Sequence, residues 1–97
     1  MNRPGRPISP STMPPVVPTE SEAVEMWGLE AGELIKLALM KKGWGYSELA
    51  DALKAQGIRR SAAAINRRIN RGNFSAGFLL ACLQAMGCEF EVRGPDC

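Results

Sequence analysis

The fold is decided by the stretch Ile58-Arg59-Arg60-Ser61-Ala62-Ala63-Ala64-Ile65-Asn66-Arg67-Arg68-Ile69-Asn70-Arg71-Gly72. It carries five arginines, two asparagines and no acidic residue. Apolar residues recur in it at steps of four, three and four, at Ile58, Ala62, Ile65 and Ile69. That spacing predicts a helix that starts after a Ser61 cap, buries this stripe and ends at Gly72. The polar side chains are left on the outward surface.

That outward surface has the chemistry needed to read duplex DNA. Asparagine and arginine, here Asn66 and Arg67, form bidentate hydrogen bonds with the edges of adenine and guanine. The small alanines at the start of the helix allow its backbone to approach another surface closely. We therefore predict a DNA recognition helix, although a solvated helix whose arginines serve only solubility stays open as an alternative.

Charge is unevenly distributed along a chain of only 97 residues, enough for one small domain. Twelve basic and ten acidic residues give a net charge of +2, which does not by itself indicate a nucleic-acid partner. Residues 20–33 hold five glutamates and no base, whereas residues 36–42 hold three lysines and residues 59–71 hold five arginines. This asymmetry predicts one basic face on an otherwise balanced protein.

The sequence offers little for metal, membrane or catalytic chemistry. Its three cysteines form no C-x-x-C pair and it has no histidine, so we expect no zinc site, no disulfide framework and no cofactor. It also lacks an apolar run of the ~18 residues that would span a bilayer. General acid–base and nucleophilic schemes lack their groups, so an enzyme is not expected. We expect a cytoplasmic, nucleoid-associated protein.

Four regions follow one another along the chain. Residues 1–18 hold six of the seven prolines and are predicted to form a disordered tail. Residues 19–28 are a short helical or irregular lead-in, because Gly28 weakens a helix. Residues 29–93 form the folded domain, whose first helix runs from Leu29 or Glu30 to Lys42. Residues 94–97 are a C-terminal tail.

The sequence contains capping and stop residues at the ends of the remaining helices. Gly45 can cap the second helix with Glu48 reaching back to it, and Gly57 can end it so that Ile58 folds back on Leu53. A fourth helix follows from Ser75 to a stop at Gly87. Its apolar face holds Phe78, Leu79, Cys82, Leu83 and Met86.

A short strand is expected after the fourth helix. Residues 88–93 alternate apolar and charged side chains before Gly94 and Pro95 end the pattern. A lone strand needs an edge to pair with, and a second copy of the chain is the simplest partner. We therefore predict a homodimer through Phe90 and Val92, with the fourth helix as the alternative interface.

Several segments carry a resemblance to the phage-repressor-type helix-turn-helix family, over about Glu30 to Val92. They are Leu34-Ile35-Lys36, Lys42-Gly43, Glu48-Leu49-Ala50, Leu53, Gly57-Ile58, Ile65, Ile69-Asn70-Arg71-Gly72 and Leu83-Gln84-Ala85-Met86-Gly87. The chain is still more similar to a bacterial family of small helix-turn-helix proteins known as a domain of unknown function. That pattern resembles Tyr46-x-x-Leu49-Ala50, Gly57-Ile58 and Ile69-x-Arg71-Gly72-x-Phe74-Ser75-x-x-Phe78-Leu79-x-x-Cys82-Leu83.

The resemblance implies an all-α, compact four- to five-helix repressor-like domain with one short C-terminal strand. In repressors the second helix lies across the DNA backbone and the third enters the major groove. Carried over by position, the base-facing residues are Arg60, Ser61, Ala63, Asn66, Arg67 and Asn70. The phosphate-facing residues are Lys42, Tyr46, Ser47, Arg59, Arg68, Arg71 and Asn73. The segment from Leu53 to Ile65 is longer than usual, which predicts an extra turn on the second helix and a longer connection.

Two function classes remain after the sequence has been read. The leading prediction is a small bacterial or phage transcriptional regulator that binds double-stranded DNA in a sequence-specific manner. The runner-up is a helix-turn-helix protein-interaction module, such as an antitoxin or the adaptor of a larger complex, because this fold also serves contacts without DNA. Salt dependence of DNA binding separates the two.

Overall fold

The computed structural model describes residues 16–95, which contain four α-helices. They are α1 (Glu20–Lys42), α2 (Tyr46–Lys54), α3 (Ala62–Arg71) and α4 (Ala76–Ala85). Helices α1 and α2 both pack against α3 and α4, and the core lies between the two pairs. No helix in this part of the chain is long and apolar enough to cross a membrane.

The core draws on every helix. The side chains that are almost fully inaccessible to solvent are Ile35, Leu49, Leu53, Ile65, Ile69 and Cys82. The predicted stripe of α3 is confirmed, because Ile65 and Ile69 are buried while Ile58 and Ala62 are half-buried against the same cluster. In α1 the side chains of Ile35, Ala38 and Leu39 are buried, but those of Leu34 and Leu37 stay exposed.

Helix α1 is 23 residues long and includes the segment expected to be a lead-in. It begins after Thr19, whose side-chain oxygen accepts a hydrogen bond from the backbone N–H of Glu22 at 3.1 Å. Glu22 returns the contact by accepting from the Thr19 backbone N–H at 2.9 Å. These hydrogen bonds from Thr19 lower the pKa of the Glu22 carboxyl. The capping box moves the start of α1 upstream of the predicted Leu29 or Glu30.

Gly28 does not break α1, because tertiary packing requires a glycine there. A Cβ atom at Gly28 would overlap the carbonyl oxygen of Gly72, and one at Gly32 would lie 2.5 Å from the carbonyl oxygen of Ile69. Two glycines spaced by four residues lie on one side of a helix. They let the backbone of α1 cross the end of α3 in direct contact, which offsets the ~1 kcal/mol helix propensity lost at each glycine.

The connection between α2 and α3 confirms the predicted caps and corrects the predicted length of α2. Gly45 donates its N–H to the Glu48 carboxylate at 2.7 Å. Gly57 has a left-handed backbone with φ of 88°, and the Ile58 N–H donates to the Leu53 carbonyl at 3.0 Å. There is no extra turn on α2, because the additional length lies in residues 55–61 between the helices.

The prediction of a C-terminal strand is wrong. Residues 88–93 adopt no regular secondary structure, and none of residues 16–95 forms a strand. An alternating pattern makes a strand only when another strand supplies hydrogen-bond partners, and the described chain has no second candidate. Phe90 and Val92 are 56% and 76% exposed, so both side chains lie on the surface of the chain rather than in its core. Most of the predicted disordered tail, residues 1–15, lies outside the described residues.

Candidate nucleic-acid interface

Helix α3 is held at both ends so that its polar side points outward. The Ser61 side chain accepts a hydrogen bond from the Ala64 N–H at 3.1 Å and starts the helix. Gly72 ends it in a left-handed conformation with φ of 67°. Since Ile65 and Ile69 point into the core, the remaining sides of the helix face solvent. All six predicted base-facing residues are accordingly exposed. Five of them lie on α3 or its cap, namely Ser61, Ala63, Asn66, Arg67 and Asn70, and Arg60 lies just before the cap. Arg71, which was predicted to face phosphate, is exposed at the end of α3.

Four arginines gather around one open depression on α3. We call this group, Arg60, Arg67, Arg68 and Arg71 together with Asn73, the arginine face. Ala64 also lines the depression, and its small side chain leaves the space open. Within residues 16–95, the ion pairs are made by Lys36, Lys54 and Arg93, and none involves this face. The guanidinium groups are therefore available to an external anion.

Arg68 is held by an aromatic ring beneath it. Its guanidinium carbon lies 5.5 Å from the centroid of the Phe78 ring, a cation–π geometry. Phe78 is buried and packs against Phe74 with the ring centroids 5.6 Å apart and the planes tilted by 50°. Arg68 is thus half-buried and anchored to α4, whereas Arg67 and Arg71 are exposed. Arg68 is one of the predicted phosphate-facing residues, and the sequence did not predict its contact with Phe78.

The two asparagines of α3 bind each other. The Asn70 side-chain amide donates to the Asn66 side-chain oxygen and to the Asn66 backbone carbonyl, the latter at 2.9 Å. It also lies 3.4 Å from the Tyr46 hydroxyl at the start of α2. Both asparagines remain exposed. This asparagine pair, Asn66 and Asn70, therefore links α3 to α2 at the edge of the surface opposite Arg68.

The other predicted phosphate-facing residues lie outside these two groups. Lys42 ends α1 and places its ammonium 5.0 Å from the centroid of the Trp44 ring. Ser47 is exposed on the first turn of α2, and Arg59 is exposed in the connection before α3. Tyr46 is half-buried against the core. Its hydroxyl accepts from the Asn70 side-chain amide, and this is the polar contact that Tyr46 makes with α3.

Sequence reasoning missed the contribution of α1 to this surface. The close contacts of Gly28 and Gly32 fix the end of α3, from which Arg71 and Asn73 project. Glu25 of α1 and Arg71 line a neighbouring depression without forming an ion pair. The spacing of the two glycines was the available signal, whereas Gly28 was considered alone, as a residue that weakens a helix.

No group of three or more histidine, cysteine or acidic side chains that could hold a metal ion is found in the described chain. Among residues 16–95, the strongly perturbed group is the Cys82 thiol, whose burial raises its pKa to about 12. A thiol that stays neutral at ordinary pH is a packing group rather than a nucleophile.

Over the described residues, the fold and this surface define an all-α domain that presents a basic helix on its exterior. A family model described as a domain of unknown function (DUF6471) matches residues 27–90, from the middle of α1 to just beyond α4. The chain belongs to this family. No curated protein and no solved structure matches the chain.

Proposed function

We propose that the protein binds double-stranded DNA in a sequence-specific manner through α3, in the way of a helix-turn-helix transcriptional regulator. The observation that supports this proposal is the arginine face, whose four guanidinium groups have no carboxylate partner within residues 16–95. Arginine forms bidentate hydrogen bonds both with phosphate and with guanine. A duplex supplies both kinds of acceptor along one groove.

The two flanks of α3 suit different parts of a duplex. Arg68 is held against Phe78 and Arg71 lies beside the end of the helix, so both are suited to phosphates at the groove edge. Each phosphate neutralised adds about −0.9 to the slope of log affinity against log salt. Arg67 lies on the fully exposed side of α3, where a guanidinium reaches base edges.

The asparagine pair adds a condition to base reading. Bidentate recognition of adenine uses both the oxygen and the amide of one asparagine. The Asn66 oxygen already accepts from Asn70, so one of its two acceptor positions is occupied and its orientation is tied to Asn70. Arg67 makes no such bond within residues 16–95 and is ready to bind. We therefore assign the larger share of sequence reading to Arg67.

The experiment is a selection of bound fragments from random duplex, followed by fluorescence anisotropy on the selected site and on random duplex. Arg67→Ala should cost roughly 1–3 kcal/mol on the selected site and much less on random duplex. Arg93→Ala is the matched control, because it removes the same charge from an exposed arginine that pairs with Glu91 outside α3. It should leave both affinities almost unchanged.

Full site preference in an Asn66→Ala, Arg67→Ala double variant that remains folded would refute the role of α3 in reading sequence. If the parent protein instead bound duplex with no preference to lose, it would be a non-specific or architectural binder. Circular dichroism and thermal unfolding of each variant separate loss of contact from loss of fold.

The runner-up function, a protein-interaction module, is supported by the apolar side chains that α1 and α4 leave exposed. Such a module should bind duplex weakly and without sequence preference. A regulator should lose affinity steeply as salt rises, because phosphate contacts release counterions. The salt series on the selected duplex therefore separates the two functions.

A further inference from the structure

Two apolar depressions lie on the side of the domain formed by α1 and α4, away from the arginine face, and we call them together the apolar groove. Leu34 and Leu37 of α1 line one of them with Leu83 and Phe90. Trp27 lines the other together with Leu79. Trp27 is 73% exposed and Leu34 is 54% exposed, although both belong to residue types that are usually buried. Exposed apolar side chains gathered on one side of a domain favour an interaction site there.

The groove side of α1 follows the spacing of a helix that packs against another helix. Trp27, Ala31, Leu34, Ala38 and Lys41 are separated by steps of four, three, four and three residues. This is the a/d spacing of a coiled-coil seam. The contacts of α1 with α3 use a different side of the helix, on which the glycines lie. Ala38 is packed into the core, so Trp27, Leu34 and Lys41, which are seven residues apart, are the seam positions left exposed to a partner helix.

Charge along α1 is opposite at its two ends. Five glutamates lie within residues 20–33 and three lysines within residues 36–42. A second copy of α1 laid antiparallel across the first, with the crossing at Leu34, brings Glu30 and Glu33 of each helix beside the lysine-bearing half of the other. A two-fold interface requires a surface that is complementary to itself, and α1 meets that requirement in both apolar character and charge.

We propose that a second copy of the chain occupies this groove, with the two α1 helices antiparallel and crossing at Leu34. In this register the Trp27 ring of one copy lies across the Lys41 stem of the other. Glu30 comes within one helical turn of Lys41 of the second copy. The homodimer is then formed by α1 with α4 at its flank, and no strand is needed.

The N-terminal segment is a poorer occupant of the groove. Val16 and Pro18 line a depression with Glu22 and Met26. At ~100° per residue, Glu22 and Met26 lie about 80–140° around the helix from Trp27 and Leu34. The chain therefore enters α1 on a different side from the groove.

Sedimentation velocity over a range of concentrations tests the interface. The parent protein should be a dimer, and Leu34→Glu should weaken the dimer by at least about 30-fold because it places two like charges at the crossing point. Leu34 is already half exposed, so this variant should keep its helical circular dichroism and its unfolding transition. Met40→Glu is the matched control, because Met40 is 72% exposed on another side of α1.

Exchange of charges tests the antiparallel register. Glu30→Lys and Lys41→Glu should each weaken the dimer by about 3- to 10-fold, and the double variant should recover most of the parent affinity because the pair is restored with reversed signs. Recovery is specific to an arrangement in which these two positions meet. A merely unfolded or aggregated variant does not show it.

A parent protein that is monomeric at every concentration would overturn the proposal. So would a Leu34→Glu variant as dimeric as Met40→Glu, or a double charge exchange no better than either single one. None of these outcomes bears on DNA binding by α3, because the groove residues are separate from the arginine face. The Arg67→Ala experiment tests that function independently.

Discussion

The backbone of Gly28 in α1 lies directly against the carbonyl group of Gly72, the residue that ends α3. Arg71 immediately precedes this contact along the chain and Asn73 follows it. One end of the arginine face is therefore positioned by α1, which contributes no basic side chain to it. The packing of two glycines fixes where the proposed DNA-binding helix ends.

Gly28→Ala should destabilise the protein. The added Cβ overlaps backbone atoms that cannot rotate away, and overpacking of this kind costs about 1–3 kcal/mol. Gly77→Ala is the matched control in α4, because its Cβ would meet nothing closer than the Ser75 hydroxyl at 3.6 Å. The control should gain about 0.5–1 kcal/mol from helix propensity. Urea denaturation of both variants measures the difference, and equal effects would mean that α1 does not cross α3 this closely.

Arg68→Ala should weaken binding to all duplexes to a similar extent and reduce the salt slope by about 0.9, if Arg68 contacts one phosphate. Phe78→Leu keeps the charge of Arg68 but removes the aromatic ring beneath its guanidinium. It should therefore lower the affinity for duplex without changing the slope of log affinity against log salt. Anisotropy titrations at several salt concentrations measure both quantities. An Arg68→Ala variant that lost affinity for the selected site alone would assign Arg68 to base reading instead.

The asparagine pair should be measurable in the free protein. A double-mutant cycle of Asn66→Ala and Asn70→Ala should give a coupling free energy of about 0.5–1 kcal/mol, since the two side chains share a hydrogen bond at an exposed site. Tyr46→Phe should change the free energy of unfolding by less than about 0.5 kcal/mol, because its bond to Asn70 is long at 3.4 Å. Additive asparagine effects in thermal unfolding would show that the pair does not form.

Cys82 should resist alkylation in the folded protein at pH 9. The pKa of its thiol is raised from 9.0 to about 12, so it stays neutral where an unfolded thiol is half ionised. By linkage, the contribution of Cys82 to stability is complete below pH 9 and is lost as the pH rises from 9 to 12. Peptide mapping after iodoacetamide treatment, with and without denaturant, tests this. Rapid labelling of Cys82 without denaturant would contradict the burial.

The correct predictions share a local physical cause. The caps at Ser61 and Ser75 and the bond between Gly45 and Glu48 each join residues three apart. The apolar stripe of α3 depends on helical spacing. Both patterns can be read from a short window of sequence. The exposure of Arg67 and Asn66 follows from that stripe as well. Contacts of higher sequence separation could not be read in this way, such as Arg68 with Phe78 and Asn70 with Tyr46.

The sequence by itself determined the four helices of residues 16–95, most of their ends and the outward placement of the arginines, because these depend on neighbours within one or two turns. Tertiary structure alone decided the continuity of α1 through Gly28, the exposure of Leu34 and the absence of a strand at residues 88–93. Each of these depends on which distant segment lies alongside. A glycine is favourable in a helix only where another backbone crosses it, and an alternating segment becomes a strand only where a partner offers hydrogen bonds.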